Sequence, residues 1–414
     1  MKYTDSMYRK AFDIRDIAPW KGIGDDQLIS FYSEAMDEMI YVNFMGRLGQ
    51  HLALGVYIGD EGIQSLYDIR YHEMRDPATL DADILFAMCG QNCVQISFES
   101  RNDAFEDQLP DLMEYAQKYN ETIKGYKDIP SFIDFYPQWE PSTLKDPVRL
   151  KVLDEAMTVV ILYNDLNRGR FKNIPPLNMI SNTKAPYFEK KNGKWELSTN
   201  MIPTVNPNII SPDVPFEDGA LIRRLKKLPR GGELEVKLIS GIWKAWNDEG
   251  DMCGLPHLLI VRDCESETIE PPILLQRKPN EPVESIMTQI LDQFISNLEK
   301  NKKKIPDRII CSGMRTMALL YEFCDEMEIE LDEDDYLDEV DEAIESFCEL
   351  QAEDENGITG AEHMIEEMVE MMEKIPRTAL KDAPSDLKDA LLSAEDLGMS
   401  PDLVKRIKNL AKYF

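Results

Sequence analysis

Three polar residues after a strand-like run are the first candidates for chemistry: Glu99, Arg101 and Asp103, following Val94-Gln95-Ile96-Ser97-Phe98. Carboxylates at a strand end can donate or accept a proton while a guanidinium holds an anion beside them. Asp60 and Glu61, at the start of a predicted helix, are expected next to them. Other constellations fail on spacing. His51, His72, His257 and His363 never stand four apart, and no His-Glu-x-x-His occurs, so no zinc hydrolase site is expected. Cys89 and Cys93 are one residue too far apart for the usual thiolate pair and have no second pair nearby. Neither Gly22-Ile23-Gly24 nor the stretch from Gly55 to Gly62 leads into Gly-Lys-Ser/Thr, which leaves a phosphate cradle unsupported. No metal and no cofactor is expected.

Charge narrows the partners. The 414 residues carry 46 Lys and Arg against 77 Asp and Glu, a formal charge of −31. Residues 322–373 alone hold 23 carboxylates and no Lys or Arg, which leaves −8 for the rest of the chain. A field of that size repels nucleic-acid phosphates and attracts basic partners over a Debye length, ~8 Å at physiological salt. Within it, Leu337, Val340, Ile344, Phe347 and Cys348 recur at helical spacing. So do Ala361, Met364, Ile365, Met368, Met371, Met372 and Ile375, with Glu366 and Glu367 between them. Two amphipathic helices are predicted, joined by Asp354-Glu355-Asn356-Gly357. Met364, Met368, Met371, Met372, Glu366 and Glu367 are the candidate partner-binding residues, because unbranched thioethers repack around varied ligands. Core packing of the stripe and a solvated acidic face are the plainer alternatives. An EF-hand is rejected: a loop from Asp332 has Leu337 where the turn needs Gly and Ala343 where a bidentate Glu belongs.

The elements that must position these residues follow from composition and period. With 43% apolar residues the chain can build two or three real cores. No run of ~18 apolar residues exists, so no membrane span is expected. Seven Cys without regular spacing predict reduced thiols, and an amino terminus without an apolar core predicts no export; both point to the cytoplasm. Residues 1–165 read as a mixed-sheet α+β domain. In it, 39–46 and 51–58 pair as a hairpin, 59–73 is a helix with acids at its positive end, and 150–163 is a buried helix. Tyr126, Phe132, Phe135, Tyr136 and Trp139, among three prolines, predict an aromatic loop packed on its own domain. Residues 166–216 read as a Pro- and Asn-rich connection with one hairpin at 187–197, turning at Asn192-Gly193, and no other sheet.

Residues 217–335 follow as a second domain. After a basic helix at 220–228 come strand-like runs at 234–246, 255–261 and 268–275 and a helix at 281–301. A strand at 308–311, a helix at 314–326 and a last strand at 328–331 complete it. This β-β-β-α-β-α-β order resembles the RNase H-like, integrase-core fold over 233–331. The resemblance implies a three-strand meander, a fourth strand parallel to the first, and, in active members, carboxylates on the first strand and after the fourth that hold two metal ions. Here the first strand reads Lys237-Leu238-Ile239-Ser240 and the fourth ends in Cys311-Ser312-Gly313. Hydroxyl and thiol do not replace carboxylates on Mg²⁺, so no nuclease chemistry is expected.

The whole chain is also similar to a group of bacterial proteins known only as domains of unknown function. The similarity rests on Phe44-Met45-Gly46-Arg47-Leu48-Gly49, Val56-Tyr57-Ile58-Gly59-Asp60-Glu61-Gly62, Ile96-Ser97-Phe98-Glu99 and Pro306-Asp307-Arg308-Ile309. It implies a bacterial origin and no mechanism.

Residues 336–414 read as an acidic helical region closed by two short helices. The string from Ala394 through Ile407 resembles a DNA-reading helix-turn-helix, in which Lys405, Arg406 and Lys408 would face phosphates or base edges. The neighbouring acidic field argues against nucleic acid as the partner. The expectation is therefore an α+β, non-enzymatic interaction or regulatory protein that engages a basic protein, or a second copy, through its acidic Met-lined helices. An enzyme site in the first domain or the domain cleft, and DNA binding through the tail, are the alternatives.

Overall fold

Six apolar residues in a row, Ala53-Leu54-Gly55-Val56-Tyr57-Ile58, make a strand with no polar face, so both its sides must be covered. In the computed structural model both are. The structure describes residues 3–49, 51–73, 82–171, 174–205, 214–242, 244–246, 253–279, 281–354, and Lys405, Arg406 and Lys408. The chain falls into two compact units, Met1–Asp335 and Tyr336–Phe414.

The first unit is α+β and opens with helix α1 (Asp5–Ile17). Its first sheet is built from β1 (Leu28–Ser33), β2 (Glu38–Met45), β3 (Ala53–Ile58), β4 (Cys93–Glu99), β5 (Ile129–Phe135) and β6 (Ser142–Thr143). Helices α2 (Gly59–Glu73), α3 (Ala82–Cys89), α4 (Leu109–Tyr119) and α5 (Pro147–Leu166) are interleaved with these strands. Period two sorts β3 between two cores. Leu54, Val56 and Ile58 pack with α1 and α5, whereas Tyr57 packs with Ile63, Leu66 and Tyr67 of α2. Asp146 caps α5 by accepting the Val148 and Arg149 N–H groups, with Pro147 at the first helical position.

Four short strands follow: β7 (Lys184–Ala185), β8 (Tyr187–Lys191), β9 (Lys194–Leu197) and β10 (Ile202–Pro203). The expected hairpin is present as β8–β9, with Asn192 and Gly193 at φ 51° and 75°. It does not stand in a connection. β8 pairs in parallel with β1, so the hairpin completes an eight-stranded sheet of order β6-β5-β4-β3-β2-β1-β8-β9. The expectation of no further sheet among the prolines is corrected by the small β7–β10 ladder. The aromatic loop is corrected as well. Phe132 lies on β5, fully buried and opposite Ile96 of β4, because Pro130 near the strand's start leaves the rest of the ladder intact.

The second sheet follows α6 (Gly219–Leu225). It contains β11 (Glu233–Ser240), β14 (His257–Asp263), β15 (Thr268–Ile269), β16 (Ile273–Leu275), β17 (Arg308–Ser312) and β18 (Glu330–Glu333). Helices α7 (Val283–Asn297) and α8 (Met314–Met327) pack Ile286, Ile290, Phe294, Leu320 and Phe323 on Leu234, Val236 and Leu238. β14 lies antiparallel between β11 and the β15 and β16 segments. On its other side β11 is parallel to β17, and β17 to β18. The run expected at 234–246 stops at Ser240, where Gly241 turns at φ 80°. Its remainder pairs separately, as β12 (Ala245–Trp246) with β13 (Cys253–Gly254). Pro271-Pro272 divides the third run, and α7 ends in a wider π turn at Leu298–Lys302.

In the second unit, Leu337 just before α9 (Asp338–Asp354) and Val340 and Ile344 on it are buried at the expected spacing, while Asp338, Glu339, Glu342 and Glu345 are exposed. Asp341 Oδ2 accepts the Leu337 N–H at 3.0 Å and closes its first turn. The Met stripe and the helix pair of the tail lie outside the described residues.

Candidate functional site: a cleft where the two sheets meet

Several side chains join the two halves of the first unit. Phe86, on α3, which packs on α2 and on β11, is buried in the core of the second half with Leu234, Val236 and Ile286. Backbone bonds follow the same seam: Glu140 N–H to Cys253 O at 2.9 Å and Leu255 N–H to Gln138 O at 2.8 Å. The Trp139 indole donates to Arg277 O at 3.1 Å. Beside this seam opens a cavity of about 470 Å³, a size suited to a small organic ligand.

Three helix starts frame it. Asp60 and Glu61 open α2, Val283 and Glu284 open α7, and Arg315 stands in the first turn of α8. Gly59, at φ 65°, lets β3 turn directly into α2. Gly62 lets α2 lie close, since a Cβ there would come within 2.7 Å of Asn92 O and 2.9 Å of Tyr57 C.

Two ion pairs cross the cleft. Arg277, nearly fully buried, donates through Nη2 to Glu61 Oε1 at 2.5 Å and through Nε to Glu281 O. Asn92 Nδ2 donates to the other Glu61 oxygen at 3.2 Å. Arg315 Nη2 meets Asp68 Oδ2 at 2.7 Å, and its guanidinium lies 4.1 Å over the Phe86 ring. Gln138 stands between these pairs in sequence and in kind. It is 1% exposed, holds a left-handed φ of 66°, and its Oε1 is buried without a hydrogen-bond partner. A non-glycine residue held in that conformation, beside a cavity and with an unsatisfied buried atom, marks a place where the fold gives up stability.

Behind Phe86 lies a Ser–His pair that is structural. His257 stacks on Phe86 at 5.0 Å, and its Nδ1 is 2.7 Å from Ser240 Oγ. Both residues are fully buried. Burial, and then the charges of Arg277 and Arg315, hold the imidazole down at about 3, far too weak a base to activate a hydroxyl. Among the described residues lining the cleft there is no His and no Cys, and no group of three His, Cys, Asp or Glu is placed to hold a metal. The arrangement can bind and orient. Among the described residues of the cleft no hydroxyl or thiol is bonded to a His, Asp or Glu side chain.

The residues expected from sequence are only partly assembled. Asp60 and Glu61 do stand at the cleft, but Glu99, Arg101 and Asp103 do not stand beside them. The register Tyr57↔Cys93 and Ala53↔Ser97 puts the end of β4 next to the beginning of β3, a strand length of ~20 Å from α2. Glu99 there accepts from Ser97 Oγ, and Arg101 and Asp103 are exposed on a turn. Lys405, Arg406 and Lys408 are helical, with both lysines exposed. Met364, Met368, Met371, Met372, Glu366 and Glu367 lie outside the described residues. Sequence reasoning missed Arg277, Arg315, Asp68 and Gln138, which no local spacing connects.

Residues 5–173 match the family model of a domain of unknown function, DUF7309, and residues 221–348 match that of a second, DUF6930. The chain therefore consists in large part of two domains of unknown function. No curated protein and no solved structure matches it. The cleft draws Asp60, Glu61, Phe86 and Gln138 from the first matched segment and Arg277 and Arg315 from the second.

Proposed function

We propose that this pairing of two domains is a non-enzymatic binding protein of the bacterial cytoplasm, with regulatory use, whose small-molecule site is the cleft between them. One observation carries the reading: a buried, unpartnered Gln138 amide oxygen beside a ligand-sized cavity. Residues 233–331 are read as an RNase H-like scaffold, which the strand order β15-β14-β11-β17-β18 supports. Nuclease chemistry has no support there, because the parallel register sets Lys237 beside Ser312 where active members carry metal-binding acids. Thermal unfolding against small polar molecules of every charge type tests the cleft. A ligand at a hundred times its Kd should add about 2.7 kcal/mol, and Gln64→Trp, which fills the cleft from a half-exposed helix position, should remove the effect. A library without one stabilising member ends this reading.

A second reading concerns the acidic region, engaging a basic protein or a second copy of the chain. It is favoured by α9, whose exposed Asp338, Glu339, Glu342 and Glu345 flank a stripe that is already buried. Partners held this way should leave steeply as salt rises toward molar levels, and leave entirely when those four residues become Asn or Gln. Partners that survive both treatments would make the acidic region a solvated face.

A further inference from the structure

We infer that the cleft takes an organic cation, a primary ammonium or guanidinium group on a partly apolar body, held by Asp60 and Glu284 in the wall that also contains Gln138. This rests on the ligand-binding reading above and adds the class of ligand. Both cations of the cleft are engaged, Arg277 with Glu61 and the Glu281 carbonyl, Arg315 with Asp68. Among the described residues the lining holds five carboxylates, Asp60, Glu61, Asp68, Glu281 and Glu284, against these two guanidinium groups. Asp60 and Glu284 are exposed and have no ion-pair partner among the described residues. The unneutralised charge is felt nearby: burial, and then Asp60, push the Glu38 carboxyl above its ordinary range.

Helix starts usually favour anions. Here that preference is already answered by Asp60 and Glu61 on α2 and by Glu284 on α7. An anion would meet a net negative wall and would have to displace Glu61 or Asp68 to reach a guanidinium. A cation displaces nothing. Its N–H groups supply donors to the two carboxylates that have no ion-pair partner among the described residues. Phe86, Ala87, Val205, Pro282 and Val283 offer apolar wall to the rest of the molecule.

The chain's overall charge of −31 attracts cations everywhere, so the test needs site-specific controls. Titration calorimetry on the full chain at about 0.15 M salt would use agmatine, cadaverine and tryptamine, against glutarate, indole-3-propionate and inorganic phosphate. We expect saturable binding of at least one cation and none of the anions. Asp60→Asn with Glu284→Gln, both at exposed positions, should weaken it about tenfold or more, and Gln64→Trp should abolish it. Cation binding that survives all three changes is diffuse attraction and overturns the inference. Binding of an anion instead, lost in Gln64→Trp, overturns the ligand class while the cleft reading stands. If all six probes fail and so does the wider library, both readings fall together.

Discussion

Arg149→Met will destabilise the first unit by about 3–5 kcal/mol in urea unfolding, because it leaves a carboxylate buried without its partner. Arg149 and Asp134 form a 2.7 Å ion pair in which both side chains are 4% exposed. The guanidinium also donates to Asn92 Oδ1 at 3.1 Å, Cys93 O at 2.9 Å and Phe135 O at 3.0 Å, and lies 4.2 Å over the Tyr136 ring. Burial drives the Asp134 carboxyl up to about 6 even against the pull of Arg149. Without that pull it must rise further. Adding Asp134→Asn to Arg149→Met should therefore recover part of the loss, so the double variant costs less than its two parts combined. Strict additivity would show that the pair is uncoupled and that the cost is lost packing alone. The same arginine reaches the cleft, since Asn92 hands its other amide group to Glu61. Ligand affinity should fall with stability in the single variant.

What was legible in the sequence is what local chemistry specifies. Alternation and turn residues placed β2, β3 and the Asn192-Gly193 hairpin, and acids after a glycine marked the start of α2. Segments whose local signals conflict with their tertiary role were not legible. β5 carries Pro130 and ends among aromatics that suggest a loop, yet its pairing with β4 buries Phe132. Residues 187–197 gave a clear hairpin but no sign of its partner, because the parallel pairing with β1 joins segments about 155 residues apart and is set by packing.

The cleft was hidden for the same reason. Asp60 and Glu61 were visible as helix-start acids, but the groups that give them meaning, Arg277, Arg315 and Gln138, come from three other segments. Pairing register decided the rest. An antiparallel neighbour reverses direction, so Glu99 follows a strand that ends at the far side of the sheet from α2.

Acid should separate wild type from the double variant His257→Phe with Ser240→Ala by about 2 kcal/mol by pH 5, with the variant gaining. In the folded protein His257 titrates at about 3, held there by burial and then by Arg277 and Arg315, while in the unfolded chain it has its ordinary value of 6.5. Between those two values only the unfolded state takes the proton. The stability that a neutral His257 provides is therefore complete above pH 6.5 and drains as the pH falls toward 3. The slope approaches about 1.36 kcal/mol per pH unit. Asp134 works in the opposite sense. Its folded value of about 6 lies above the unfolded one, so its contribution is present below pH ~4 and is lost as pH rises through 6. Between pH ~4 and 6 the two act in opposite directions. Removing His257 removes its contribution, so on mild acidification the variant should gain stability relative to wild type. The phenylalanine keeps a ring against Phe86, and the Ser240→Ala change avoids an orphaned hydroxyl, so the comparison isolates the proton. Parallel stability curves for the two proteins from about pH 7 to 5 would mean that His257 is protonated as readily in the fold as outside it, and that the cleft's two arginines do not act on it.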